Sequence, residues 1–365
     1  MSRGVKRALV LLLALSFGLG LAGTLLAAEI KPDVVIKASA ENLSKGNLDP
    51  GLKPIATVKP GQIVQMETVS VVAWPSGTTA DPEAYLKKMG VSPDTPVYMQ
   101  IIDAIKVPGS GHILTGPIFV EGAEPGDVLE FRFLDVQCRT PFAMNSERAG
   151  RGGLTVPGVK AHSGSIMVSL DLGRNVGVIA PGIEVPLKPF MGTFGLATKV
   201  KSPVTPPWPS GGNMDLKDIT AGSSLYLPVQ VAGGLIFTGD GHAAQGNGEI
   251  CGTGLETSLT VTFQVLLQKA KFIRWPMAET ATHWIITGMD ADLDEALRIC
   301  LKETVDFLTF QKELTPYQAL CIASSACDFA VTQYANQPAV GIHCYIPRSI
   351  FVNEKNDFWT LTAAK

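Results

Sequence analysis

Gly239-Asp240-Gly241-His242-Ala243-Ala244-Gln245-Gly246-Asn247-Gly248-Glu249 packs two carboxylates, an imidazole and two carboxamides into one short, glycine-rich stretch. Such groups leave water at a cost unless they are bonded or put to use, so a cluster of them between apolar runs marks a functional loop. The flanking runs, Leu225 to Val231 and Leu259 to Leu267, are rich in strand-forming residues and read as strands. A polar loop slung between strands makes the centre of the chain β.

Working outward, residues 29–137 continue the β pattern. Val58-Lys59-Pro60-Gly61-Gln62 and Glu124-Pro125-Gly126-Asp127 are turns, each followed by a strand. In the second strand Leu129, Phe131 and Phe133 alternate with Glu130 and Arg132, the signature of a half-buried strand. Asp81-Pro82 opens a short helix with the aspartate as cap. From Arg139 to about Ser210 the chain is rich in Gly and Pro and reads as loops, among them Arg148 to Gly153, whose arginines read as solvated. The last third changes period. Asp292 or Asp294 can start a helix in which Leu293, Ala296, Leu297, Cys300, Leu301 and Leu308 fall at helical spacing, and Thr315-Pro316 starts a second helix with Ala319, Leu320, Ala323 and Cys327 on its apolar face. The expectation is a mainly β protein, a large β body followed by a C-terminal α+β segment. Residues 29–210 form its β-rich N-terminal part and residues 211–365 the remainder, the two jointly making one unit.

The chain has 365 residues, 46% of them hydrophobic, enough for a large core. A net charge of -3 without a basic stripe argues against a nucleic-acid partner. Residues 1–28 read as an export signal: Arg3, Lys6 and Arg7 precede an uncharged run from Ala8 to Ala28. That run is also long enough to serve as a retained anchor. The expected location is periplasmic or extracellular, with no membrane contact beyond this segment. The six cysteines show no scaffold or zinc-ribbon spacing and read as buried small hydrophobes rather than disulfides.

Asp240 and His242, two residues apart, point the same way on an extended segment and suit a divalent cation or an oriented general base. Two further clusters enter or leave strands: Gly211-Gly212-Asn213-Met214-Asp215, and Gly111-His112 ahead of Ile113-Leu114-Thr115. His343, beside Cys344, reads as part of a closing strand, His283 as a packing residue and His162 as a solvated loop residue.

The blocks HILTGPIFVEGAEPGDVLEFRFLDV (His112 to Val136), GGNMDLKDITAGSSLYLPVQVAGGLIFTGDGHAAQGNGEICGTGLE (Gly211 to Glu256), ETATHWIITGMDADLDEAL (Glu279 to Leu297) and GIHCYIPRSIF (Gly341 to Phe351) resemble the acetamidase/formamidase family. The resemblance implies hydrolysis of a short amide to a carboxylate and ammonia, a mainly β fold with β-sandwich and barrel-like parts and a C-terminal α+β segment, and a homo-oligomer. It carries the family's polar positions onto His112, Asn213, Asp215, Asp240, His242, Gln245, Gly246 and Glu249. The chain departs from the family at Asn247, where aspartate is usual, and from Glu67 to Ala104. The export segment is a further difference from cytoplasmic relatives.

An amide resists hydrolysis, so a nucleophile, oxyanion stabilisation and a proton for the leaving nitrogen are all required. No Gly-x-Ser-x-Gly elbow is present and no Ser-x-x-Lys stands in a catalytic setting. Water activated by a divalent metal, zinc foremost, is the favoured route, with His112, Asp215, Asp240 and His242 as ligands. Glu249 or Glu256 then carries the proton, and Asn213, Gln245 and Gly246 bind the small amide substrate. Two other readings compete. One is a non-catalytic exported small-amide-binding protein on the same fold, favoured by Asn247. The other is a carbohydrate-binding β-sandwich, disfavoured by the scatter of Trp74, Trp208 and Trp275.

Overall fold

A computed structural model describes residues 30–70, 81–88, 90–147, 164–269 and 273–354. The proposed export segment, the arginine loop at 148–153, Trp74 and His162 lie outside the described residues. Lys31 to Thr360 form one compact unit. Among the described residues no helix is long and apolar enough to cross a membrane.

Two sheets face each other across the main core. The larger has nine strands in the order Val34–Ile36, Ile63–Glu67, Leu259–Gln268, Val128–Cys138, Ser224–Pro228, Met277–Glu279, His283–Asp290, Val340–Pro347 and Asp328–Gln333. The second runs Gly211–Asn213, Phe190–Leu196, Ile236–His242, Ile113–Val120, Leu43–Lys45, with Ala56–Val58 pairing parallel to Ile113–Val120. Phe131, Phe133 and Phe263 of the first meet Phe194 of the second edge-on, with ring centroids 4.8, 5.3 and 5.4 Å apart. Aromatic pairs in this geometry add to the apolar burial that joins the layers. A four-stranded sheet, from Phe142–Glu147 to Ile183–Pro186, completes the β body. The mainly β architecture with C-terminal helices is as expected, and its sheets are open: among the described residues none of the barrel-like parts implied by the family resemblance closes into a barrel.

The helices stand where the period predicted them. Leu293–Gln311 is capped by Asp292, whose carboxylate accepts from the backbone of Asp294 and Glu295. Pro316–Ala326 begins in a capping box between Thr315 and Gln318. Their apolar faces are narrower than expected. Ala296, Cys300, Thr304 and Leu308 are buried on the first and Ala319 and Ala323 on the second, while Leu297 and Leu320 are 41% and 49% exposed. The small residues let the helices lie close on the sheet: a Cβ on Gly288 would stand 2.4 Å from the Cys300 amide nitrogen. Glu130 is buried within the interior strand Val128–Cys138, where Arg132 and Gln268 hold its carboxylate. All six cysteines are free. The helix Tyr98–Lys106, in the region without a recognised pattern, packs its buried face on Val69, Leu86 and Val97.

Candidate active site

Adjacent strands of the second sheet deliver the polar groups. Asp240 and His242 end the strand Ile236–His242, His112 precedes Ile113–Val120 beside it, and Asp215 follows the edge strand Gly211–Asn213. Glu256 pairs with both Met144 and His242 through isolated bridges, which bring it to the same end. Glu249 arrives on the loop that follows His242. Asp215, Asp240 and Glu249 all hold left-handed backbone conformations, with φ of 48°, 51° and 44°. Such conformations cost free energy in a non-glycine residue and concentrate where side-chain aim matters. The left-handed turn thus falls on Asp240 rather than on Gly241, whose glycine serves another end: a Cβ there would stand 2.5 Å from Leu259 Cγ and 2.7 Å from the Thr257 carbonyl oxygen.

Four carboxylates and two imidazoles converge. His112 Nδ1 lies 3.1 Å from Asp240 Oδ1, His242 Nε2 lies 3.6 Å from Asp240 Oδ2, and His242 Nε2 lies 2.9 Å from Glu256 Oε1. Ligand atoms of Asp215, Asp240 and His242 fall within 4.8 Å of one another, and so do those of His242, Glu249 and Glu256. His112, the fourth nominated ligand, belongs to neither trio and stands against Asp240 instead. Among the described residues, two buried oxygens of the cluster, Asp215 Oδ1 and Glu249 Oε2, have no hydrogen-bond or ion-pair partner, while His112 Nδ1, Asp240 Oδ1 and His242 Nε2 meet only their ion-pair partners. Buried polar atoms are normally paired, so two unpaired carboxylate oxygens beside two imidazoles are a prepared donor set.

Burial and mutual repulsion set the charges. Burial would lower the His242 imidazole, but the Glu256 and Asp240 carboxylates outweigh it and hold the ring well above its ordinary range. His112 is likewise raised, to about 8, because Asp240 overcomes burial. Burial works to raise Asp240, yet the two imidazoles keep it well below the usual carboxylate value. Asp215 is pushed up to about 6 by burial and the Asp240 charge. Glu256 rises to about 7 through burial, tempered by His242, and Glu249 rises well above its usual value through burial and the Asp215 charge. Negative charge is therefore favoured on Asp240 and disfavoured on Glu249.

The carboxamides nominated for substrate contact are spent on the site itself. Asn213 Nδ2 donates to Asp215 Oδ2 at 2.7 Å and its Oδ1 accepts from Thr193. Gln245 Oε1 sits 2.8 Å from His242 Nδ1 and its Nε2 donates to the Asp215 carbonyl at 2.9 Å. With Nδ1 engaged by the Gln245 oxygen, Nε2 is the ring nitrogen left to face Glu256 and Asp240. Gly246 is exposed, and its carbonyl accepts from the Glu249 amide at 3.3 Å. Asn247 is exposed too and bonds the Tyr345 phenol, outside the carboxylate cluster.

Sequence reasoning missed three contributors. Gly192, inside the strand Phe190–Leu196, leaves room for two acids: a Cβ there would stand 2.7 Å from Asp215 Oδ1 and 3.0 Å from Asp240 Oδ2. A glycine within an apolar strand is the available signal for such close approach. Gly254 does the same for His242, whose Nδ1 would be 2.9 Å from an added Cβ. Asn336 donates to Asp215 Oδ2 at 2.5 Å, and in the sequence it is only a turn residue before Gln337-Pro338. His343 stands in the closing strand, as read. A groove of about 520 Å³ beneath the helix Leu293–Gln311, lined by Trp275, Trp284 and Phe307, holds none of the six clustered groups.

Residues 100–203 and 199–353 match the model of the acetamidase/formamidase family. A formamidase of Methylophilus methylotrophus is 29% identical over 257 residues, covering 56% of this chain and 59% of that protein. An acetamidase of Mycolicibacterium smegmatis is 30% identical over 202 residues, covering 39% and 50% respectively. The matched stretches thus span little more than half the length of these curated relatives. The crystal structure of an acetamidase from Bacillus halodurans superposes with a TM-score of 0.71 at 28% identity, covering 87% of this chain and 98% of that one.

Proposed function

The chain belongs to the acetamidase/formamidase family, and from that premise we propose that it hydrolyses a short aliphatic amide to the carboxylate and ammonia at the buried cluster around His242. The observation that carries this reading is the convergence of four acids and two imidazoles, with buried oxygens of Asp215 and Glu249 left unpaired.

The donor set fits a divalent cation. Its nitrogen and carboxylate oxygens suit zinc, and Gly192 keeps clear the space that a Cβ would fill between Asp215 Oδ1 and Asp240 Oδ2. Asp215, Asp240 and His242 would hold the ion, with His112 at 3.1 Å from Asp240 fixing that carboxylate. When bound, such an ion polarises a carbonyl and lowers the pKa of water. The remaining chemistry belongs to side chains. Glu249, whose carboxyl is pushed up by burial and the Asp215 charge, is placed to hand a proton to the leaving nitrogen. Glu256, close to neutrality and 2.9 Å from His242, is the reservoir that takes a proton from the attacking water. Gln245 keeps the His242 ring in one orientation throughout. The charged start and the apolar run from Ala8 to Ala28 support a site of action in the periplasm or outside the cell, and a homo-oligomer is part of the same reading.

Ammonia release from formamide, acetamide and propionamide, before and after chelation and after zinc is restored, tests the proposal. Release that is lost on chelation and regained with zinc is expected. Full activity in metal-free protein defeats the metal while leaving amide hydrolysis standing. Amide binding without ammonia release leaves a binding protein on this fold.

A further inference from the structure

The last two strands of the large sheet, Asp328–Gln333 and Val340–Pro347, are joined by a turn at residues 334–339 that reaches the carboxylate cluster. We propose that Asn336, on this turn, is a positioning residue: with Asn213 it grips one oxygen of Asp215 so that the other faces the reaction centre. The proposal rests on the reading of the cluster as an amidase site, and it assigns a role to the C-terminal segment that the sequence left purely structural.

The hydrogen bonds allow one arrangement. Asn336 Nδ2 donates to Asp215 Oδ2 at 2.5 Å and to the Asn213 carbonyl at 2.9 Å. Asn213 Nδ2 donates to the same Asp215 Oδ2 at 2.7 Å and to Asn336 Oδ1 at 3.1 Å. Oδ2 thus takes two donors while Oδ1, equally buried, takes none. Turning Asn336 over would set its oxygen against the carboxylate and its amino group against that of Asn213, so the network itself fixes the orientation.

The turn is built to hold this amide still. The Gln333 carboxamide, fully buried, accepts from the backbone of Ala335 at 3.0 Å and of Asn336 at 2.8 Å, and donates to the Ala339 carbonyl at 3.3 Å. The Ala339 amide closes back on the Asn336 carbonyl at 3.0 Å. Asn336 is only 6% exposed, so its donor has no solvent to replace Asp215. A carboxylate held by two amide donors on one side is rigid, and a group that must face a reacting centre gains from that rigidity. Asn336 does not itself face the orphaned atoms; it acts through Asp215.

The test uses the full chain and the variants Asn336→Ala, which removes the donor, and Asn336→Asp, which keeps the shape and puts a carboxylate against Asp215. Chelator-treated protein is titrated with zinc alone by calorimetry, kcat and KM are measured with acetamide, and thermal melting reports the fold. Zinc affinity and kcat are each expected to fall about tenfold or more in a folded variant, further for Asp than for Ala, with KM changed less than kcat, as loss of a charge-assisted hydrogen bond implies. Wild-type zinc affinity and kcat in both variants would overturn the proposal, and so would a loss of melting temperature that leaves both values intact. If neither variant folds, a structure of the wild-type protein soaked in zinc decides. Oδ1 of Asp215 facing the ion with both amides on Oδ2 sustains the proposal; Oδ2 facing the ion overturns it. Wild-type protein that neither takes up zinc nor releases ammonia defeats the cluster reading and this inference together, whereas unaltered variants beside an active wild type defeat this inference alone.

Discussion

His242 and His343 are both imidazoles with 0% exposure, and their pKa values move in opposite directions. Around His343, burial wins. Its Nδ1 meets the Thr332 hydroxyl at 2.8 Å, the Tyr345 ring stands edge-on at 4.6 Å, and burial, opposed by Asp218 and joined by Lys217, drives the ring down to about 4. Around His242, carboxylates win, and the ring is carried well above its ordinary value. Desolvation is common to both; the density of uncompensated negative charge is not. Where four acids share two imidazoles, they cannot all ionise, and the excess is relieved by protons or by a cation. The region around His343 is thus built for stability and the region around His242 for chemistry.

The largest effect that would break this contrast is at the charged end. Asp240→Asn preserves a left-handed backbone that asparagine tolerates, and His242→Ala removes the shared imidazole. Each is expected to lower ammonia release by about a thousandfold or more with the melting curve retained. Wild-type rates in both would place the chemistry elsewhere.

The next effect is acid sensitivity at His343. Its folded value of about 4 lies below the ordinary value of about 6.5, so the unfolded chain binds more protons between those limits. Stability should therefore be whole above about pH 6.5 and decline as pH falls towards 4, by at most about 3 kcal/mol from this residue. His343→Leu should flatten that part of the curve in denaturant titrations at successive pH values; an unchanged slope would show that His343 does not contribute it.

Gly192→Ala sharpens the comparison by crowding only the cluster. Its Cβ would stand 2.7 Å from both Asp215 Oδ1 and the Asp240 carbonyl, so the acids must shift, at a cost of about 1–3 kcal/mol in stability together with lost turnover. A melting temperature and kcat equal to wild type would show that the cleft has slack. The smallest change is expected of Asn247→Asp, which restores the residue usual in the family but removes a donor to Tyr345 and adds charge near Asp218, itself bonded to Tyr345. Activity should change by less than about tenfold, because the side chain lies outside the cluster. A larger effect in steady-state kinetics would tie Asn247 to the reaction.

Much of this was legible before any coordinates. The strands flanking the central loop and both C-terminal helices follow from period and capping, which are local properties. Asp240 and His242 were readable as a pair because they lie two residues apart, and His112 and Asp215 because each neighbours a strand end. The open sheets were not readable, since closure depends on pairing between strands remote in sequence. Nor were the duties of Asn213 and Gln245. A carboxamide looks alike whether it faces a substrate or a carboxylate, and only the arrangement shows that both hold Asp215 and His242 in place. Asn336 lies 121 positions from Asp215 in the chain and carries no pattern that would link them. The narrow apolar stripes of the helices were misjudged because leucines at helical spacing were counted without knowing how close the small residues would bring the sheet.

Diffraction from crystals of the wild-type protein soaked in acetamide would test the central claim most directly. The expected result is amide density beside the unpaired oxygens of Asp215 and Glu249, with its nitrogen nearest Glu249. Density confined to another part of the molecule, such as the aromatic groove beneath the helix Leu293–Gln311, with the His242 cluster unchanged, would contradict it.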